Sequence, residues 1–137
     1  MDQIIAYLTF NGNCREAMEF YQECIGGELK LQTLKDVPKP KNFPDDMKDY
    51  VVQAILEKDG ILLMGTDMVD KKLIRGNSIS IFLGTSNEEQ LQRYYQKLKK
   101  GSRSTYPLER THWGNLFGGL VDKFGNEWLF HCKKNNN

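Results

Sequence analysis

The chain has 137 residues, a length that one domain usually accounts for. Its 19 basic and 18 acidic residues leave a net charge of +1, so we expect neither nucleic acid nor a membrane surface as a partner. No apolar run approaches the roughly 20 residues of a membrane span, and Met1 leads into a strand pattern without a signal sequence, which predicts a cytoplasmic protein.

The first part of the chain predicts a strand followed by a helix. Ile4 to Phe10 is rich in β-branched and aromatic residues, which favours a strand buried on both faces. Asn13 is placed to cap the helix, with Glu16 completing a capping box, and Gly26-Gly27 is a typical helix stop. Apolar residues at spacings of three and four give the helix one buried face: Ala17, Met18, Phe20, Tyr21, Cys24 and Ile25.

Three further strands are predicted in this half. Glu28 to Leu34 alternates as a half-exposed strand, and a hairpin joins Tyr50–Glu57 to Ile61–Thr66 across Lys58-Asp59-Gly60. The intervening Lys35 to Asp49 is rich in proline and charge, and predicts a surface loop.

That loop contains the large apolar residues Phe43 and Met47, which would let it close over a pocket. A flexible surface loop that closes over no pocket is an equally open interpretation. The polar segment Asp67 to Asn77 has no strong pattern and is predicted to link two halves of the chain.

The second half repeats the order of elements. The predicted strands are Ser78–Leu83, Ser104–Leu108 with Pro107 toward a sheet edge, Phe117–Asp122 and Glu127–Cys132. Between the first two lies a helix capped by Asn87, with a buried stripe of Leu91, Tyr94, Tyr95 and Leu98 and an end at Gly101. Asp122, before the turn Lys123 to Asn126, is expected to accept backbone hydrogen bonds there.

The two halves are also related in sequence. An offset of 74 residues takes Asn13 to Asn87, and an offset of 65 takes the turn Glu57–Gly60 to Asp122–Gly125. The cysteines, Cys14, Cys24 and Cys132, are odd in number and contain no Cys-x-x-Cys pair, so we predict unremarkable buried thiols.

These features carry a family resemblance. Asn-Gly-Asn before Glu16-Ala17 and Phe20-Tyr21, and the later Trp113-Gly114, Phe117-Gly118, Asp122-x-Phe124-Gly125 and Trp128, resemble the PhnB-like branch of the vicinal oxygen chelate superfamily. That superfamily includes glyoxalase I, extradiol dioxygenases and bleomycin-resistance proteins. The resemblance implies an α+β fold in which two βαβββ modules, about 1–70 and 77–134 of one domain spanning 1–137, form an incomplete barrel around a cleft. It also implies a homodimer.

In enzymes of this superfamily, His, Gln or Glu side chains from the first and last strands of each module bind a divalent metal. The matching positions here are Ala6, Met64, Ser80 and Leu129, and shifting the register by one residue in either direction recovers no ligand set. We therefore predict that the metal site is lost and that no cofactor is bound.

Few residues remain as catalytic candidates. Strand alternation puts Glu127 and His131 on the same face as Leu129, where they would be an acid/base couple or ligands of a relocated metal. Solvated strand ends are the simpler interpretation of both. His112, beside Trp113, is read as an exposed loop histidine, with ligand contact as the alternative.

If the matching positions face inward, the cleft wall is apolar and aromatic. The leading hypothesis is a metal-free binding protein for a small hydrophobic or aromatic molecule. The alternatives are a metal-dependent lyase or dioxygenase with a relocated metal site, and a dimeric interaction protein with a filled cleft. The predicted lining residues are Ala6, Leu8, Phe10, Leu62, Met64, Thr66, Ser80, Phe82, Trp113, Phe117 and Leu129.

Overall fold

The computed structural model describes residues 2–38, 47–68 and 72–133. The chain divides into two compact units, Met1–Ile74 and Arg75–Asn137. Each unit contains a strand, a helix and three further strands, and each has one four-stranded sheet, which confirms the predicted α+β fold of two βαβββ modules. Within the described ranges, no helix is long and apolar enough to cross a bilayer. Phe43, in the predicted loop, lies outside the described residues.

The first unit builds a mixed sheet. Its elements are β1 Ala6–Thr9, α1 Cys14–Ile25, β2 Glu28–Thr33, β3 Val51–Lys58 and β4 Ile61–Thr66. A short 3-10 helix, Leu34–Asp36, follows β2. The sheet order is β1-β4-β3-β2, with β1 parallel to β4 and the other neighbours antiparallel.

The second unit has the same topology. Its elements are β5 Ile81–Thr85, α2 Glu88–Leu98, β6 Ser104–Arg110, β7 Leu116–Val121 and β8 Glu127–Cys132. The sheet order is β5-β8-β7-β6, again with one parallel pair, β5 and β8, and two antiparallel pairs. As predicted, Pro107 lies in an edge strand, at the register shift between Tyr106 and Glu109, where its missing N–H group costs no ladder hydrogen bond.

Each helix covers one face of its own sheet. In the first unit, a Cβ built on Gly65 would lie 3.1 Å from Cys14 Sγ and 3.2 Å from Met18 Sδ, so β4 runs directly beneath α1. In the second unit, the rings of Tyr95 in α2 and Phe130 in β8 meet edge to face, with centroids 5.3 Å apart. These contacts place the apolar core of each unit between helix and sheet, and leave the opposite face of each sheet uncovered by its helix.

The prediction for β1 is wrong in one respect. Ala6 and Tyr7 are exposed, Tyr7 by 52%, although the segment was expected to be buried on both faces. Tyr7 projects to the face of the sheet that α1 does not cover, and among the described strands β1 is an edge strand that pairs with β4 alone. The hairpin between β3 and β4 is confirmed, and Asp59 and Gly60 both adopt the positive φ angles, 45° and 93°, that a tight Asp-Gly turn requires.

The two helices begin in different ways. Asn87 caps α2 as predicted, with its side chain accepting a hydrogen bond from the Gln90 N–H at 3.0 Å. Asn13 makes no side-chain cap bond, so that prediction is wrong. Asp67 instead accepts hydrogen bonds from the N–H groups of Gly12 and Cys14, both at 2.9 Å. Asp67, the first residue of the predicted linker, is 2% exposed and belongs to the core of the first unit.

This difference predicts unequal effects of two matching substitutions. Asn87→Ala removes a real cap and should lower the free energy of unfolding by about 1 kcal/mol, whereas Asn13→Ala should cost much less. Chemical denaturation of both variants measures the two changes side by side. Equal losses would contradict the assignment of α1 capping to Asp67.

Candidate functional site

Strand register sorts the predicted cleft residues of the first unit onto two faces. Ala6 pairs with Leu63 and Leu8 with Gly65, so Ala6 and Leu8 project toward α1. Phe10 continues this alternation and is completely buried. Leu62, Met64 and Thr66 alternate with the helix-side positions of β4 and project to the opposite face. The expectation that Ala6 and Met64 line the same wall is therefore wrong.

The face of the first sheet opposite α1, here called the first open face, has an apolar centre. Tyr7 pairs with Met64, Met64 with Ile55, and Ile55 with Lys30, so these four side chains form one row across the sheet. Sequence reasoning had left out Tyr7, although the alternation of β1 places it next to Ala6 on the other side.

The face of the second sheet opposite α2, here called the second open face, has a longer apolar row. Phe82 pairs with Leu129, Leu129 with Gly119, and Gly119 with Tyr106. Phe82 is 59% exposed and Tyr106 is 67% exposed. A Cβ built on Gly119 would lie 3.1 Å from Leu129 Cδ2 and 3.7 Å from a Tyr106 ring carbon, so both neighbours lean over the glycine. The result is a continuous apolar strip.

A second row on this face adds another aromatic side chain. Glu109 pairs with Phe117, and Phe117 with His131. The imidazole of His131 also lies beside Phe82, with ring centroids 5.8 Å apart and planes tilted by 34°. Phe117 is 38% exposed. The predicted residues Phe82, Phe117 and Leu129 thus share one face, together with Tyr106, which the sequence reasoning missed.

Glu127 and His131 lie on this same face, as their alternation with Leu129 predicted. They are separated by four residues along β8, or about 13 Å at a rise of about 3.3 Å per residue, so they cannot form a hydrogen-bonded acid/base couple. Glu127 instead accepts a hydrogen bond from the Ser80 hydroxyl at 3.3 Å. The structure brings Ser80 and Glu127 together, and it separates both from His131.

His112 and Trp113 occupy the turn between β6 and β7. His112 is exposed, as predicted, and its ring meets that of Trp113 edge to face with centroids 5.7 Å apart. Arg110 holds this turn by donating to the Gly114 carbonyl at 3.1 Å and to the Glu88 carboxylate of α2 at 2.7 Å. Trp113 is 77% exposed, so it presents its indole to solvent within the second unit.

The same pairings test whether the residues fit the metal site that the resemblance implies. Ala6 pairs with Leu63 and Ile81 with Trp128, so the first strands are related by 75 residues rather than 74. The equivalent positions on the open faces are then Tyr7 with Met64, and Phe82 with Leu129. These side chains offer no carboxylate or imidazole, and no group of three or more His, Cys, Asp or Glu residues occurs among the described residues. The residues do not fit a divalent metal site.

The three cysteines are free and buried, as predicted. Burial, and secondarily the nearby Asp67 carboxylate, raises the pKa of the Cys14 thiol to about 12. Burial likewise raises the pKa of Cys132, with a smaller contribution from Glu88. Both thiols are therefore protonated at neutral pH and unsuited to nucleophilic chemistry.

Two surface concavities are lined by none of the predicted cleft residues. One, of about 460 Å³, is lined by Gly27, Glu28, Lys30, Ile55, Glu57, Lys58 and Asp59. The other, of about 390 Å³, lies on the exposed side of α2 and is lined by Glu89, Gln92, Arg93, Gln96 and Lys97. Apart from Gly27 and Ile55 the lining residues have charged or polar side chains, and neither concavity has an aromatic ring of the kind exposed on the second open face.

Comparison with known proteins gives consistent matches over nearly the whole chain. A family model described as 3-demethylubiquinone-9 3-methyltransferase matches residues 2–130. Protein YjdN of Escherichia coli (strain K12) is 26% identical over 137 residues, covering 93% of each chain. Protein PA1353 from Pseudomonas aeruginosa, a crystal structure, is 33% identical with a TM-score of 0.83, covering 98% of this chain and 100% of that one.

Two more distant structures show how widely the fold is shared. A putative 3-demethylubiquinone-9 3-methyltransferase, PhnB protein, from Bacillus cereus is 23% identical with a TM-score of 0.74, covering 96% of this chain and 100% of that one. The bleomycin resistance determinant encoded on transposon Tn5 is 16% identical with a TM-score of 0.58, covering 98% of this chain and 100% of that one. At these identities the likeness concerns the fold alone.

Proposed function

We propose that this chain, which belongs to the family described as 3-demethylubiquinone-9 3-methyltransferase, binds a small apolar or aromatic molecule without a metal ion. The family match and the shared fold agree with the predicted resemblance to the PhnB-like branch of the vicinal oxygen chelate superfamily. The fold itself does not fix a reaction, because one fold carries many chemistries. The proposal therefore depends on the side chains of the second open face.

The observation that carries the proposal is the exposed row of Phe82, Leu129 and Tyr106 beside Phe117. Soluble domains rarely expose a large contiguous apolar patch, and where they do the patch is often a binding surface. Covering one such half-exposed ring with an apolar ligand contributes about 1 kcal/mol or more, through area removed from water and ring stacking. Several rings together give useful affinity for a flat molecule.

Methyl transfer, which the family description names, is not supported by the described residues. A bound adenosylmethionine would call for a glycine-rich turn between a strand and the helix that follows it. The two such junctions here are Asn11-Gly12-Asn13 and Ser86-Asn87, which contain a single glycine between them. The residues do not fit this cofactor, so methyl transfer is not assigned.

A relocated metal site is also poorly supported, because the candidate donors are dispersed. Glu127 and His131 are about 13 Å apart along β8, and His112 lies in the turn before β7. A lyase or dioxygenase built on these residues would retain stoichiometric Zn, Ni, Mn or Fe after purification. Metal analysis at the level of one ion per chain would favour that activity over the binding function.

The binding proposal is tested by equilibrium titration with acridine, a flat and neutral tricyclic compound. We expect saturable binding and a roughly tenfold weaker affinity for Phe82→Ala, because that substitution removes the ring at one end of the apolar row. Ile74→Ala is the matched control, since Ile74 is 84% exposed but lies in neither sheet. Absence of saturable binding, or equal weakening by both substitutions, would refute the proposal.

A homodimer and a cytoplasmic location stay predictions. An interaction protein is the third function to consider, because exposed rings such as Phe82 and Tyr106 also suit an interface between two copies. In that case light scattering would show a dimer that Phe82→Ala converts to a monomer. The unsubstituted chain would then show no saturable acridine binding.

A further inference from the structure

The charged side chains on the second open face are acidic. The paired strand positions that project to this face include Glu109 and Glu127 but no lysine or arginine. The first open face has charges of both signs, because Lys30 lies there together with Glu28 and Glu57. With an overall net charge of +1, the chain has enough basic residues elsewhere to make this local bias informative.

Glu127 lies close to the apolar row. It is half-buried, it is two residues from Leu129 on the same face, and its side chain is hydrogen-bonded to the Ser80 hydroxyl. Among the described residues it forms no salt bridge. A carboxylate at the margin of an apolar strip interacts more strongly with a cation than a fully solvated carboxylate does, because less water screens the pair.

The aromatic rings point to the same ligand charge. Phe82, Tyr106 and Phe117 are exposed on this face, and the electron-rich face of an aromatic ring attracts a cation by about 0.5–1 kcal/mol at exposed sites. An anionic ligand would meet two carboxylates and gain nothing from the rings beyond apolar contact. A neutral ligand would leave the carboxylates without a cationic partner.

We propose that the molecule bound on the second open face is a flat aromatic cation, with its rings over Phe82, Leu129 and Tyr106 and its positive charge beside Glu127. This inference rests on the proposed function and specifies the class of ligand. Glu109, exposed on β6 at the far side of Phe117, contributes a weaker and more screened attraction.

The test compares three tricyclic compounds of similar size and different charge: proflavine, a cation at neutral pH; acridine, which is neutral; and anthracene-2-carboxylate, an anion. Fluorescence titrations at low salt should give affinities in that order, with proflavine bound about fivefold more tightly than acridine. The preference for proflavine should shrink as salt is added, because the charges lie near the surface.

Two charge-neutralising variants locate the effect. Glu127→Gln keeps the shape of the side chain and an acceptor for Ser80, and it should abolish the preference for proflavine while changing acridine affinity less than twofold. Glu89→Gln, on the exposed side of α2, removes the same charge elsewhere and should leave the preference unchanged. Thermal unfolding of both variants shows that they remain folded.

The outcomes separate the two proposals. If acridine binds but proflavine binds no better, or if Glu127→Gln retains the preference, the aromatic-cation inference is wrong and the binding function stands. If none of the three compounds binds saturably, the proposed function fails and this inference fails with it. Equal loss of the preference in Glu127→Gln and Glu89→Gln would show attraction to the whole chain and overturn the assignment to Glu127.

Discussion

Replacement of Asp67 by asparagine should lower the free energy of unfolding by about 3 kcal/mol. Asp67 is 2% exposed, and its two oxygens accept three backbone hydrogen bonds, from Gly12 and Cys14 to Oδ1 and from Val51 to Oδ2, each at 2.9 Å. Hydrogen bonds to a charged acceptor contribute about 1.5–3 kcal/mol each, more than bonds between neutral groups.

Asparagine cannot reproduce this arrangement. If its oxygen takes the place of Oδ1, its NH2 group faces the Val51 N–H, and a buried donor is left opposite another donor. Because Asp67 joins the start of α1 to the start of β3, the loss would affect the whole first unit. Asp67→Ala should cost still more, since all three N–H groups would lose their acceptor.

Chemical denaturation monitored by circular dichroism measures the change. The control is Asp49→Asn, since that side chain is 69% exposed and its 3.7 Å ion pair with Lys35 is solvated, so a change within about 0.5 kcal/mol is expected. If Asp67→Asn were as mild as the control, Asp67 would not be the acceptor that organises the first unit.

Local patterns in the sequence predicted most of the fold. Hydrophobic periodicity located both helices, Asp59-Gly60 predicted the hairpin, and Asn87 predicted the start of α2. Asp122 also behaves as predicted, accepting hydrogen bonds from the N–H groups of Phe124 and Asn126. In each case the interacting residues are only a few positions apart, so a short stretch of sequence contains the information.

The failures involve partners that are distant in sequence. Asn13 and Asn87 stand in equivalent positions, yet only Asn87 caps its helix, because Asp67 reaches α1 from 53 residues away. Sequence alone gives no sign that an aspartate in a polar stretch folds back into the core. A buried acceptor of this kind becomes visible only when the strands that carry its partners are assembled.

The candidate site shows the same division. Alternation along β8 correctly placed Glu127, Leu129 and His131 on one face, since a single strand determines that relation. Whether Ala6 shares a face with Met64 depends on the register between β1 and β4, which are separated by a helix and two strands. One residue of shift in that register exchanges the two faces of β1 and brings Tyr7, rather than Ala6, to the first open face.

Gly27→Ala should also strongly destabilise the first unit, by about 3 kcal/mol. Gly27 has a φ of 99°, and a Cβ at this position would lie 2.5 Å from the Glu57 carbonyl oxygen and 2.8 Å from Lys58 Cβ. The first obstacle is backbone, so it can move only if the end of β3 shifts away from the start of β2. The cost therefore adds loss of strand pairing to the strain of a positive φ.

Gly60→Ala separates these two contributions. Gly60 has a similar φ of 93°, but a Cβ there would meet nothing within 4 Å, so only the backbone strain of about 1 kcal/mol is expected. The free energies of unfolding of the two variants should thus differ by about 2 kcal/mol. That difference is the cost of the close approach of the C-terminus of α1 to β3. Hydrogen exchange should show the excess as lost protection at β2 and β3 in Gly27→Ala alone. Equal destabilisation of both variants would mean that the end of β3 can move away from residue 27 at no energetic cost. The close contact between Gly27 and β3 would then not fix the position of β2.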